Sequence, residues 1–201
     1  MATPFRLLRQ VLPLAILLAS VGLAQSQSPF SASPESLLAL AAANKPAGEP
    51  GVHLLRMDQR LSFDAQGRST YYSYRIFHIL TEEDMESWST VGASWAPWHQ
   101  DKPTLRARVI TPDGRQHLLD PATINEGPTR EYSRDIFSDR RALRAPLPAI
   151  AIGAVVEFEA ITRDTAPLSA AGTTRSFTLD YSIPLHKLNN HRLKAVGLAG
   201  D

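Results

Sequence analysis

Residues 55–80 read LRMDQRLSFDAQGRSTYYSYRIFHIL, two runs of alternating apolar and polar residues on either side of Asp64-Ala65-Gln66-Gly67. Successive side chains of a strand point to opposite faces, so alternation of this kind is the mark of a β-strand. A short Asp/Gly segment between two such runs makes them an antiparallel hairpin. On the first run Leu55, Met57, Leu61 and Phe63 share a face, with Gln59 interrupting it. On the second, Tyr71, Phe77 and Ile79 fall on one face, and Tyr72, Tyr74, Ile76 and Leu80 on the other. A strand apolar on both sides suggests a central position in its sheet, or one between packed layers.

The pattern repeats downstream. Leu105, Ala107 and Val109 alternate with Arg106 and Arg108, and Thr111-Pro112-Asp113-Gly114 turns that run into Arg115–Leu119. Pro suits the second turn position and Gly the left-handed one. Val155–Arg163 is the cleanest strand, with Val156, Phe158 and Ala160 on one face and Glu157 and Glu159 on the other. Thr173–Ile183 follows with Phe177, Leu179 and Tyr181 in step, while Tyr132–Phe137 and Ala142–Leu147 are weaker candidates. Ile124–Arg130 reads as loop. Two short helices interrupt the strands. One has Ser33 as its cap, Pro34 at the first position and Glu35 in the first turn. The other starts at Thr81 with three acids behind it and turns Met85 and Trp88 inward. About eight strands with short turns predict an all-β fold, an antiparallel β-sandwich with immunoglobulin-like layers.

The 201-residue chain, 43% hydrophobic and 20% charged, can bury a full core. Its first 24 residues read as a signal peptide: Arg6 and Arg9, the apolar run Val11–Ala24, and small residues at Gly22 and Ala24. Spanning a bilayer takes about 20 apolar residues, which the run does not supply. Removal of Arg6 and Arg9 turns a net charge of +1 into −1, leaving no basic field for nucleic acid or anionic lipid. The expected organisation is signal peptide 1–24, helix and Pro/Gly linker 25–51, and sandwich 52–185. Residues 186–201 would start a further strand or domain, truncated here. An exported chain of this kind is expected in the periplasm or outside the cell, without stable membrane insertion.

The ordered set of an Asp-Ala-Gln-Gly hairpin, a Tyr-rich strand ending in Ile79-Leu80-Thr81, and a short helix forms the first part of a signature. Ala107–Gly114, Tyr132-Ser133, Ser138–Arg141 and Leu147–Glu159 complete it. It resembles the uncharacterised β-sandwich domain found N-terminal to transglutaminase-like domains in exported bacterial proteins, over about Val52 to Leu185. The resemblance implies a following papain-like domain with a Cys-His-Asp triad, and no catalytic residues in the sandwich itself.

The chain has no cysteine, and so no thiolate nucleophile, disulfide or cysteine-based metal site. Glu157 and Glu159 have the look of a glycosidase pair, but acids at i and i+2 on the polar side of a strand read more simply as a solvated face. Arg140, Arg141 and Arg144 are close enough in sequence to pair with them. The six histidines are scattered and no cofactor is expected. The candidates for ligand binding are Trp95 and Trp98, within a cluster that includes Trp88, and Arg140 and Arg141 in a mixed-charge stretch. Clustered tryptophans stack on sugars or grip peptides, or else simply fill a core.

The expected function is a non-enzymatic accessory or recruitment module, taking a peptide or protein along a sheet edge beside a transglutaminase-like domain. The alternatives are the inactive leading part of a cysteine peptidase or transglutaminase, and a carbohydrate or cell-wall binding module.

Overall fold

The first hairpin forms as read, with β1 (Val52–Phe63) antiparallel to β2 (Ser69–Ile79). The computed structural model describes residues 28–129, 139–167 and 183–192. Between the strands, the Gly67 N–H donates to the Asp64 carbonyl at 3.0 Å with φ of +77°. The second turn, between β4 (Thr104–Ile110) and β5 (Gln116–Leu118), has the same design. Gly114 sits at φ +82° and donates to the Thr111 carbonyl at 2.8 Å. Both positions lie in the left-handed region that glycine enters without a Cβ penalty. Hydrogen bonds from the Thr111 hydroxyl and then the Arg115 guanidinium hold the Asp113 carboxyl at a pKa of about 2.

Two sheets result among the described residues. The larger runs β5-β4-β8-β2-β1-β9, with β8 at Val155–Arg163 and β9 at Leu188–Arg192. The smaller runs β3-β7-β6, from β3 (Thr90–Trp95), β6 (Asn125–Pro128) and β7 (Arg141–Pro146). All pairings are antiparallel except β1 with β9, which is parallel. The sheets enclose a core of Phe77, Ile79, Val109, Val156 and Phe158 from one side and Val91 and Ala145 from the other. Central β2 has both faces covered, as its apolar faces require: Phe77 and Ile79 meet the sandwich core, while Tyr74 and Ile76 meet a second cluster.

That second cluster is made by α1 (Pro34–Ala43), which lays Leu37 and Ala41 on Leu55, Ile76, Ile110 and Val155. The Ser33 hydroxyl accepts from the Ser36 N–H at 3.2 Å, and Asn44 closes the helix. Helix α2 (Glu82–Ser87) is capped by Thr81, and Met85 and Trp88 pack on the sandwich core.

Four readings need correction. Leu55 and Met57 do not share a face: a β-bulge between Leu54 and Arg56 sends Leu55 to the helix cluster and Met57 to the sandwich core. A bulge sets two residues against one, and so shifts the phase of a period-two pattern. Residues 124–130 are not all loop, because β6 pairs with β7 despite its Gly and Pro. Such residues are tolerated on an edge strand. Strand β3 was not anticipated, since Gly92 and Ala93 dilute its pattern. Glu157 and Glu159 are not solvated, as described below. The readings at Tyr132–Phe137, at residues 173–182, at 193–196 and at the signal segment 1–24 lie outside the described residues.

Gly92 explains how β3 reaches β7. A Cβ there would stand 2.2 Å from the Leu143 carbonyl oxygen, a backbone atom that cannot swing away. Gly92→Ala is therefore expected to lower stability by about 1–3 kcal/mol, as overpacking does. The check is a urea titration: a lower midpoint at constant slope is expected, and an unmoved midpoint contradicts the close approach.

Candidate functional site

The polar chemistry of the described residues concentrates on the helix-side face of the large sheet. Neighbouring strands β4 and β8 set Arg108 opposite Glu157 and Arg106 opposite Glu159. Glu157 is 0% exposed; its carboxylate accepts from the Arg108 guanidinium and from the Tyr74 hydroxyl. Arg108 also donates to Gln116 Oε1 at 3.2 Å and to the Ala32 carbonyl at 2.6 Å. Glu159, 7% exposed, meets Arg106 at 3.4 Å. Buried ions persist only when paired and hydrogen-bonded, and this cluster meets that condition. Burial, and then the adjacent Glu157 carboxylate, push the Tyr74 phenol well above its ordinary range.

Residues 28–33 seal the cluster. Phe30 lies 4.4 Å from the Arg106 guanidinium and edge-on to Tyr74 at 6.1 Å between centroids. It does so at φ +61°, a conformation costly for an aromatic residue and held by its surroundings. A glycosidase pair must reach a sugar; Glu157 is closed to one and neutralised by Arg108. The expected partners Arg140, Arg141 and Arg144 lie elsewhere, on and beside β7. Arg108 and Arg106 take their place because strand register, not sequence distance, decides who meets whom.

The candidate ligand-binding residues are not gathered into one pocket. Trp95 is 4% exposed and belongs to the interior, whereas Trp98 is 60% exposed, its ring 5.4 Å from that of His99. Trp88 packs on Phe77 at 5.0 Å. Arg141 binds Glu126 at 2.6 Å, Arg140 reaches the Ser94 hydroxyl at 3.3 Å, and Arg144 donates to the Pro128 carbonyl at 3.0 Å. These arginines fasten the small sheet.

One group escaped sequence reading. His53 and His78 are register partners on β1 and β2, below the end of α1. His53 is 4% exposed, and its Nδ1 has no hydrogen-bond partner. Burial, and then the neighbouring His186, lower its pKa; burial, and then His53, lower that of His78. The signal was present as two histidines of a hairpin at matching distances from its turn. Among the described residues no three His, Asp or Glu side chains converge as a metal site.

No curated protein matches the chain. Among solved structures, it is similar to one from Parabacteroides distasonis ATCC 8503 described as a "putative protease", with 13% identity and a TM-score of 0.54. The similarity covers 60% of this chain but only 24% of that one, so the chain spans about a quarter of its length. A second neighbour is the CBM3a-L domain with flanking linkers from the cellulosome scaffoldin cipA of Clostridium thermocellum. It is 11% identical over 71% of this chain and 81% of that one, and its TM-score of 0.32 is too low to carry an argument. Residues 65–189 match the model of the family described as Domain of Unknown Function with solved-structure structure (DUF3857), and the chain belongs to that family.

Proposed function

We propose that the chain is a non-catalytic recruitment domain of an exported, periplasmic or secreted transglutaminase-like protein, which holds a peptide or protein substrate for a cysteine-bearing domain. One observation carries the reading. The acids that most resemble catalytic groups, Glu157 and Glu159, are buried against Arg108 and Arg106, and the chain has no cysteine. Similarity to about a quarter of a larger protein described as a "putative protease" fits a module that works beside chemistry performed elsewhere.

The test compares the product of the whole coding frame with a form lacking residues 52–185, assaying peptide hydrolysis and amine incorporation. Loss of the domain is expected to raise KM for a protein substrate at least about tenfold, because local concentration is lost. Turnover of a short fluorogenic peptide should hardly change, and the 201-residue chain alone should be inactive. Turnover by the chain alone, or an unchanged KM, would sink the proposal.

A further inference from the structure

We infer that His53, His78 and His186 form a pH-sensitive latch that holds the end of α1 and the linker 45–51 on the sheet at neutral pH and releases them on acidification.

The latch is built from three elements. His53 lies beside the backbone of Asn44, the C-cap of α1. The His53 Nδ1 has no hydrogen-bond partner there. His78 lies beside the backbone of Gly153, in the turn that leads into β8. Directly paired residues on antiparallel strands stand about 4.5–5.5 Å apart, so the two rings share one small volume. His78 also lines a cavity of about 470 Å³ with Ala41, Lys45, Glu49, Pro50 and Thr81.

Protonated His53 carries an N–H on both ring nitrogens, and the one at Nδ1 has no acceptor, on a side chain already removed from water. An unsatisfied buried donor is costly, and a second imidazolium beside it adds repulsion. The other charged groups do not cancel this. Lys45 faces the same cavity and repels further, and His186 adds a third imidazole. Glu49 is exposed, and Asp84 of α2 lies beside Gly51, at the far end of the linker. Opening to water is the relief. It lifts Leu37 and Ala41 from Leu55, Ile76, Ile110 and Val155.

The direction of the pH effect follows from linkage. Both histidines have folded pKa values below the ordinary 6.5. The unfolded or opened state therefore binds more protons as pH falls. The closed state keeps its full stability above about 6.5 and loses it as pH falls through and below that value.

The experiment is amide hydrogen exchange of residues 34–43 in the full chain at pH 7.5 and pH 5.0, corrected for intrinsic rates. Opening is expected to rise about tenfold at the lower pH, through linkage to histidine protonation. His53→Gln with His78→Gln keeps donors and removes titration, and should abolish the rise. NMR titration of the wild-type imidazoles decides the matter if that variant does not fold. His53 should titrate low, lower still in His186→Lys, and higher in His186→Gln. Equal protection of α1 at both pH values, a response that survives in the double variant, or a His53 pKa near 6.5 and indifferent to His186 would each overturn the latch.

Discussion

Arg108→Met is expected to destabilise the protein by about 3–5 kcal/mol at neutral pH, the cost of leaving a buried charge without its partner. Glu157 is the charge in question, fully enclosed and dependent on Arg108 and Tyr74. The same substitution releases the Ala32 carbonyl, so the seal at residues 28–33 loosens with it. For a chain of this size the loss corresponds to a fall in Tm of roughly 10 °C. The informative comparison is Arg108→Met combined with Glu157→Leu, which removes both charges. Most of the lost stability should return, because apolar pairs of similar volume replace buried ion pairs at little or no cost. Urea titrations of both variants provide the check. If the double variant is no better than the single one, the cost lies in packing rather than in charge.

Phe77→Ala has an expected cost of similar size, about 3–5 kcal/mol, for a different reason. The ring is buried on central β2, at the middle of the sandwich core, and packs against Trp88. Neighbouring strands cannot close on the void, since β2 is bonded on both sides, to β1 and β8. The partial loss of its packing partner should also shift Trp88 emission to longer wavelength in the folded state. A loss below about 1 kcal/mol would mean that the core collapses around the site.

Much of the fold was legible because local rules fixed it. The hairpin turns needed Gly67 and Gly114, the helices needed Ser33 and Thr81 as caps, and β8 showed its inner face by alternation alone. What local rules do not contain stays hidden in the sequence. The bulge at Leu54/Arg56 leaves no mark in the order of residue types, so alternation alone puts Leu55 on the wrong face. Glu157 and Glu159 looked solvated because nothing near them in sequence announces that residues 28–43 return to cover their face. Strand β3 was hidden because Gly92 answers to a neighbouring backbone rather than to strand propensity. The histidine pair was hidden in the same way, since its meaning depends on the Asn44 end of α1 lying above it.

The bulge has a consequence for how chains of this architecture can differ in length. Leu54 pairs with Phe77 and Arg56 with Ile76, so Leu55 is surplus to the ladder. Its buried side chain serves α1. In effect β1 carries one residue on loan to the helix. A relative without α1 could delete that residue and keep every rung of the β1–β2 pairing, and so insertion and loss of Leu55 should track the presence of the helix.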